Sequence, residues 1–315
     1  NLFKSQHRGG RGIRGVSTSD EDFVTAIYRS NTLSYLLCFT DQGRLYWLKV
    51  YKVPEASRNA KGKAIVNLVA LLPSEKIKAI LPVRDFKENE YIFMATRAGV
   101  VKKTSLSEFK NVRAAGVVAI STDPGDELVS ARITEGKNDI FLCSKLGMSI
   151  RFNEEDVRPT GRTARGVSGM NLDKDDCVVS MEVLDTGQGS GHAFEVLTIT
   201  ENGYGKRTPV SEYRLQSRSG MGVINMKAND RNGSIMGSRQ VLSKDDVMLV
   251  SNKGQMIRLR VGEISEQGRN TQGVRLISLS AGERLVSFEY LAETATTEAE
   301  VPSEVRPEEL GGDSV

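Results

Sequence analysis

The residues best suited to chemistry lie near the start of the 315-residue sequence, where arginines alternate with glycines. An arginine guanidinium donates paired hydrogen bonds to phosphate, and glycine, which lacks a Cβ, lets the backbone come close to a phosphodiester. This composition predicts a phosphate clamp for a nucleic acid. The residues of the clamp are Gln6, His7, Arg8, Gly9, Gly10, Arg11 and Gly12, with Arg14 just beyond them.

Two other interpretations of this segment stay open. Residues 10–15 match the G-x-G-x-x-G pattern of dinucleotide-binding folds, although no strand–helix–strand pattern surrounds them. A flexible basic linker would have a similar composition. Neither interpretation accounts for the recurrence of the same arginine–glycine pairing along the rest of the chain.

That pairing occurs six times. Usually a glycine stands four residues after the arginine, and an apolar residue stands four residues after the glycine. Residues at equivalent positions of a repeat are expected to occupy equivalent places in the fold, so the later copies predict further phosphate contacts. The basic residues of these later loops are Arg58, Lys61, Lys63, Arg113, Arg162, Arg165, Arg218 and Arg269.

A second basic set follows a different motif, Ser/Thr-x-x-Gly, which occurs five times after apolar runs. Four copies carry a basic residue four positions after the glycine, whereas the first copy carries Trp47. These basic side chains are either nucleic-acid contacts or solvated strand positions balanced by acids such as Glu108 and Asp156. The set consists of Lys103, Arg151, Arg207 and Arg258, with Lys102, Lys206 and Arg260 beside them.

Short strands must position these basic residues. Apolar runs around a Ser/Thr-x-x-Gly turn predict β-hairpins in which glycine supplies a positive φ. From the glycine of each hairpin to the glycine of the next arginine–glycine pair, the distance is 19 residues in four cases and 17 in the other. A repeat of about 50 residues with about four short strands is typical of a propeller-like ring.

Six arginine–glycine pairs predict an all-β ring of six four-stranded blades over residues 1–291. The sequence holds five hairpin motifs, however, and a sixth would fall upstream of Asn1. One blade is therefore expected to be incomplete, or to be closed by residues from both ends of the chain.

Charge is distributed unevenly along the sequence. Residues 292–315 carry seven acidic side chains and one basic one, while the preceding 291 residues carry 33 acidic and 42 basic ones. We expect the basic body to bind an anionic partner. We expect residues 292–315 to be a disordered tail, which is either a solvated end or a regulator that competes for the basic surface.

Several classes of function are disfavoured by what the sequence lacks. Two histidines and three widely spaced cysteines argue against a zinc site and a disulfide framework. No apolar stretch approaches the length of about 18 residues that a membrane-spanning helix needs. No signal peptide, Walker A or nucleophile-elbow motif is visible. We therefore expect no catalytic residue, metal ion, cofactor or membrane partner.

The placement of the aromatic residues favours duplex DNA as the partner. They fall mainly in apolar runs, as Phe39 and Phe93 do, whereas binding of single strands uses aromatic platforms for base stacking. Phosphate contacts around a curved rim suit bent duplex DNA, which is held through its backbone. Smooth bending of 20–30 base pairs by 40–90° costs about 1–6 kcal/mol, which several contacts together would offset.

In these features the chain resembles a known family. The clamp is similar to the GyrA box, consensus Q-R-R-G-G-K-G, of the bacterial DNA gyrase A subunit, and the similarity continues through residues 202–208 and 268–274. The resemblance covers about residues 3–291 and is to the C-terminal domain of that subunit. Such a domain is a β-pinwheel whose strand connections differ from those of a true propeller. His7 replaces an arginine of the consensus and is mostly neutral at pH 7, so the clamp carries about one positive charge less.

The resemblance implies a non-catalytic domain that wraps duplex DNA chirally around its basic perimeter. In the holoenzyme, a type IIA topoisomerase, this wrapping directs ATP-dependent activity toward negative supercoiling. The implied partners are the rest of the gyrase A subunit together with the gyrase B subunit, in a cytoplasmic A2B2 complex, with the isolated domain monomeric. Two alternatives stay open: an accessory domain of the topoisomerase IV type, and a propeller-like scaffold that binds an acidic protein.

Overall fold

The structure is a computed structural model that describes Gly10, Ile13–Arg14, Tyr28 and residues 30–56, 62–185 and 193–291. Within these ranges every regular element is a strand or a short 3-10 helix, which confirms the predicted all-β class. No helix there is long and apolar enough to cross a membrane. Several predicted residues lie outside the described part of the chain, namely Gln6, His7, Arg8, Gly9, Arg11, Gly12, Arg58, Lys61 and the whole of 292–315.

Twenty strands run through the described residues, and most have six or seven residues. The first ten are β1 Ile13–Arg14, β2 Tyr35–Thr40, β3 Arg44–Lys49, β4 Ile77–Val83, β5 Tyr91–Thr96, β6 Val100–Ser105, β7 Val117–Val118, β8 Leu128–Thr134, β9 Asp139–Ser144 and β10 Met148–Asn153. The others are β11 Val167–Ser168, β12 Val178–Leu184, β13 Glu195–Thr200, β14 Tyr204–Pro209, β15 Val223–Ile224, β16 Ile235–Val241, β17 Asp246–Ser251, β18 Gln255–Arg260, β19 Val274–Arg275 and β20 Leu285–Leu291.

These strands form five antiparallel sheets of four strands, and each sheet is one blade of a β-propeller. Blades 1 to 5 have the strand orders β4-β2-β3-β7, β8-β5-β6-β11, β12-β9-β10-β15, β16-β13-β14-β19 and β20-β17-β18-β1. The predicted hairpin forms the middle of each blade. The inner strands β4, β8, β12, β16 and β20 contact one another in sequence. The outer strands β7, β11, β15, β19 and β1 have two residues each.

The described residues contain five blades, so the predicted number of six is wrong for this part of the chain. An arginine–glycine segment does not build a sheet of its own. Five of the six segments supply a two-residue outer strand to the hairpin of another repeat, whereas the segment at Gly62 is followed by the 3-10 helix Ile65–Asn67. The number of hairpins therefore sets the number of blades. Blade 5 pairs Ile13 of β1 with Met256 of β18, so it is closed by residues from both ends of the chain, as expected.

The Ser/Thr-x-x-Gly motif forms a turn that links neighbouring repeats. In blade 3, Ser144 Oγ accepts a hydrogen bond from the Met148 amide at 3.0 Å, and the Gly147 amide donates to the Ser144 carbonyl at 3.2 Å. Gly147 has the predicted positive φ, +99°. Its carbonyl oxygen accepts hydrogen bonds from the amides of Asn225 and Met226, which follow outer strand β15. Equivalent paired bonds form at the glycines of blades 1, 2 and 4.

A chain of alternating charges lines the contact between the inner strands. Arg132 of β8 donates to Glu182 of β12 at 3.1 Å, and Arg239 of β16 donates to the same carboxylate at 3.1 Å. Arg239 also lies 3.7 Å from Glu289 of β20. The equivalent residue of β4 is the uncharged Leu81, so the row of alternating charges does not continue into blade 1. These charges neutralise one another near the axis and are therefore structural.

Candidate nucleic-acid interface

The arginine–glycine loops that lead into the outer strands β1, β7, β11, β15 and β19 lie at the outer edge of the blades. The copy at Gly62 leads instead into the 3-10 helix Ile65–Asn67. Glycine is required in these loops. At Gly222 the φ is +78°, and a Cβ would lie 2.1 Å from the carbonyl oxygen of Ser149 on β10. The edges of blades 1 to 4 consequently carry one loop arginine each, namely Arg113, Arg162, Arg218 and Arg269.

Hydrogen bonds connect successive loops along this edge. Arg218 donates from Nε to the carbonyl of Asp156 at 3.1 Å and from Nη1 to that of Ser168 on β11 at 2.9 Å. Arg269 repeats the pattern one blade further, with Nη1 3.0 Å from the Ile224 carbonyl of β15. Backbone carbonyls leave the positive charge of both guanidinium groups uncompensated. Each arginine is thereby oriented while its charge stays available to an anion.

Buried lysines hold two of the loops from beneath. Lys206 on β14 donates from Nζ to the carbonyls of Gly268 and Arg269 at 2.6 and 2.7 Å. Lys102 on β6 donates to the carbonyls of Ala119 and Arg162. Burial lowers the pKa of each amine to about 8. Since both side chains are almost completely buried, they cannot reach a DNA phosphate, and predicting them as direct contacts was wrong.

Lys103, Arg151, Arg207 and Arg258 of the strand set form ion pairs within the protein, which gives them a structural role, and DNA contact by them stays a prediction. Arg151 of β10 donates to Asp139 Oδ2 of β9 from Nε and Nη2 at 2.9 and 2.7 Å. Their side chains are 15% and 8% exposed. The partners differ from the acids expected from the sequence because they lie across the hairpin. Arg207 pairs with Glu195 and Arg258 with Asp246 across their own hairpins, whereas Lys103 pairs with Glu154, which follows β10 of the neighbouring blade.

Blade 1 fills the same cross-strand position with aromatic rings. Tyr35 and Trp47 take the places of the acid and the base, with ring centroids 4.8 Å apart, and Trp47 stacks on Phe86 at 5.6 Å. Blade 2 is intermediate, since the Lys103 amine lies 5.1 Å from the centroid of the Tyr91 ring. The departure of Trp47 from the basic pattern therefore reflects packing between strands, not a change in ligand.

The other predicted basic residues occupy varied surroundings. Lys63, Arg113 and Arg260 are exposed, and Arg162 is half-buried. Arg165 is exposed and forms an ion pair with Asp123. Of the clamp, Gly10 forms a parallel bridge with Ile277, and the backbone of Arg14 pairs with Gln255. Gly10, the described residue of the clamp, therefore lies close to the edge of blades 4 and 5.

The structure adds basic residues that the repeat pattern did not single out. A cavity of about 770 Å³ at the edge of blades 1 and 2 is lined by Arg44, Arg113 and Arg162. A second cavity, about 330 Å³, contains Arg231 and Arg275 beside Tyr204. Arg44 belongs to β3, and the equivalent positions in the other blades are not basic, so comparison between repeats does not reveal it although it directly follows a motif glycine. Arg275 is the second residue of β19, and its equivalent in β1 is Arg14, which was predicted beside the clamp.

No group of three or more histidine, cysteine, aspartate or glutamate side chains that could hold a metal ion occurs in the described ranges. The three cysteines are free and buried. Burial raises the pKa of the Cys143 thiol to about 11 and that of Cys38 to about 12. The surface chemistry of the described blades is thus that of arginine guanidinium groups at an edge.

Comparison with known proteins assigns this arrangement to a family. The family model described as "DNA gyrase C-terminal domain, beta-propeller" matches residues 1–31, 34–84, 90–135, 138–185, 195–241 and 245–290. The DNA gyrase A protein of Salmonella typhimurium is 46% identical over 296 residues, covering 94% of this chain and 33% of that protein. That of Escherichia coli K12 is 43% identical over 315 residues, covering 97% and 35%. The chain thus spans about a third of the length of these relatives.

Solved structures agree with the sequence comparison. A structure of a DNA gyrase A C-terminal domain superposes with a TM-score of 0.78 at 28% identity, covering 92% of this chain and 93% of the other. The C-terminal domain of a DNA topoisomerase IV superposes with a TM-score of 0.76 at 25% identity, covering 91% and 92%. The family model and the gyrase relatives lead to one conclusion: the chain belongs to the DNA gyrase A C-terminal domain family.

Proposed function

We propose that this domain binds duplex DNA along its outer edge and bends it around the propeller. The main support is the repeated placement of an arginine–glycine loop at the outer strand of successive blades. Arg218 and Arg269 are oriented there by backbone carbonyls, and in the described ranges no carboxylate lies within 4.0 Å of their guanidinium nitrogens, although the Arg269 amide donates to Glu212 Oε2 at 3.1 Å. A row of such groups at regular intervals matches a phosphate backbone that follows a curve.

Within a gyrase holoenzyme, the wrapped DNA would lead a distant segment to the site of strand passage. Chiral wrapping then directs the ATP-driven reaction toward negative supercoiling. The domain itself is non-catalytic in this proposal. Its partners are the remainder of the gyrase A protein together with the gyrase B protein, in an A2B2 assembly of the cytoplasm. The clamp, which includes Arg8 and Arg11, contributes further phosphate contacts beside blade 5.

Duplex binding by the 315-residue chain, measured over a range of salt concentrations, tests this proposal. Wrapping over many phosphates requires a steep fall of affinity with salt, with a slope of about −0.9 per neutralised phosphate in a double-logarithmic plot. A parallel assay incubates the chain with relaxed plasmid and topoisomerase I, which fixes any writhe as a change in linking number. Weak, shallow binding without a linking-number change would contradict wrapping and favour a scaffold for an acidic protein.

The clamp provides a second test in an enzyme reassembled with its partner subunits. The R8A/R11A variant is expected to lose supercoiling but to retain relaxation and decatenation. The two substitutions remove wrapping contacts and leave every reacting group of the enzyme in place. Equal loss of all three activities would show that the clamp does not act through wrapping. Retention of all three would instead fit an accessory domain of the topoisomerase IV type.

A further inference from the structure

A second basic feature of blade 4 lies nearer to the hairpin turn than the Arg269 loop does. Arg231 and Arg275 approach the ring of Tyr204, and their guanidinium carbons lie 5.0 and 5.6 Å from its centroid. The Tyr204 hydroxyl accepts a hydrogen bond from Arg275 Nη2 at 3.1 Å. Both arginines are exposed, whereas Tyr204 is buried. Two exposed guanidinium groups thus lie over the face of one buried tyrosine ring.

Rigid elements hold both arginines. Arg275 belongs to β19 and pairs directly with Tyr204 of β14. Arg231 lies on a turn in which Asn229 Oδ1 accepts hydrogen bonds from the amides of Arg231 and Asn232 at 3.0 and 3.2 Å. Asn232 in turn accepts from the Asn229 amide at 2.8 Å. Little conformational freedom remains to be lost when a ligand binds, which favours affinity.

The charge of this cavity is positive. Among the described residues, no acidic side chain lies within 4.0 Å of the guanidinium nitrogens of Arg231 or Arg275. Glu283 also lines the cavity, but its carboxylate accepts hydrogen bonds from Ser251 Oγ at 2.5 Å and from the Ser280 amide at 3.0 Å. Two arginines against one engaged carboxylate leave a net charge of one positive unit.

We propose that Arg231 and Arg275 form a preorganised seat for one phosphodiester of the DNA that also contacts the Arg269 loop. Two guanidinium groups over one aromatic ring can donate from two directions to the same phosphate. The ligand assignment rests on the proposed function, and the site uses arginines other than the loop arginines, since Arg275 lies on β19 beyond Gly273 and Arg231 on a separate turn. Two contacts at different heights on one blade edge would set the inclination of the DNA as well as its path.

The test compares the salt dependence of duplex binding for three variants with that of the unchanged chain. R231Q/R275Q is expected to bind several-fold more weakly at about 0.1 M salt and to reduce the steepness of the slope by about one. The control K137Q/K244Q removes the same charge from two exposed turns that join an inner strand to the next hairpin, and its slope should stay unchanged. R231K/R275K should recover the slope while binding more weakly than the unchanged chain, because lysine lacks the planar fork.

Equal slopes for R231Q/R275Q and for the control would overturn the assignment of the seat. If the unchanged chain itself shows no steep salt dependence, wrapping fails as a whole, and the two failures can be told apart. Thermal unfolding of each variant verifies folding, which these exposed side chains should not affect. A reduced change in linking number for R231Q/R275Q, beyond that of the control, would show that the seat sets the DNA inclination.

Discussion

Two adjacent lysines illustrate what burial does to a charge at the scale of single residues. Lys102 and Lys103 lie on opposite faces of β6, and both are buried. Lys103 has Glu154 as a partner at 3.7 Å, whereas Lys102 has carbonyl oxygens and the nearby positive charge of Arg162. The pKa of Lys102 accordingly falls to about 8. Its function is to fix the loop that carries Arg162.

This lowered pKa predicts a pH dependence of stability. Lys102 titrates near pH 8 in the folded chain and near its ordinary pKa of about 10.4 in the unfolded one. Between these values the unfolded state holds more protons, so the free energy of unfolding rises with pH. Urea unfolding should show the unchanged chain gaining stability relative to K102M between pH 8 and pH 10. The stability difference between the unchanged chain and the exposed-site variant K244M should not vary with pH in this range. If the free energies of unfolding of K102M and of the unchanged chain change with pH in parallel, Lys102 does not titrate as stated.

At the scale of elements, the hairpin turns decide how repeats join. The carbonyl of each hairpin glycine in blades 1 to 4 binds two amides of the following repeat, which requires very close approach of two backbones. A Cβ on Gly147 would lie 2.1 Å from the carbonyl oxygen of Met226. The glycines of the motif are therefore needed for docking between repeats as well as for turn conformation.

A pair of glycine variants separates these two roles. G147A should destabilise the chain by more than about 2 kcal/mol, since it combines a strained positive φ with a clash against backbone. G125A is the control, because Gly125 also has a positive φ, +85°, but has open space around it. Its cost should stay near about 1 kcal/mol. Equal losses in urea denaturation would mean that the docking contact does not constrain Gly147.

The strand pairs and the edge loops should respond differently to the loss of one arginine. R151Q leaves the Asp139 carboxylate without its bidentate partner, so the free energy of unfolding should fall by about 2 kcal/mol. Its slope of DNA affinity against salt should not change, because Arg151 faces the neighbouring strand. R218Q should leave the free energy of unfolding nearly unchanged and should reduce the steepness of the salt slope by about one. A changed slope in R151Q would return the strand pairs to the interface.

The hairpins could be predicted from the sequence because their motif has one structural meaning. Each Ser/Thr-x-x-Gly motif with its apolar flanks predicted a hairpin, and all five are present. Side-chain direction was harder to predict. In an exposed sheet, alternation tells the buried face from the solvated one, but blades of a propeller cover each other on both faces. Lys102 and Arg151 therefore looked like surface residues while lying between strands.

At the scale of the whole molecule, the error was the number of blades among the described residues. Counting arginine–glycine pairs treated each as a separate blade, although an outer strand belongs in space to the hairpin of another repeat. Sequence adjacency cannot reveal this exchange, since it depends on long-range pairing such as that of Leu45 with Val117. The overlooked charges Arg231 and Arg275 have the same origin, because distant segments bring them to one cavity.

The acidic residues 292–315 give a prediction for the whole chain. If they compete with DNA for the basic edge, deleting them should raise duplex affinity at low salt, and the gain should shrink as added salt screens the charges. The matched control keeps the length of this segment and replaces its seven acids by their amides. The control should reproduce the deletion. Identical affinities for all three chains at low salt would show that the segment is simply solvated.

The exchange of outer strands has a consequence for how such molecules change in size. Because every hairpin is completed by a segment from elsewhere in the chain, inserting or removing a single blade changes the count of hairpins and of edge arginines together. A longer circumference would therefore come with proportionally more edge arginines. Under the proposed wrapping, the spacing between phosphate contacts would be inherited unchanged, and the curvature of the duplex would be adjusted through the angle between neighbouring blades.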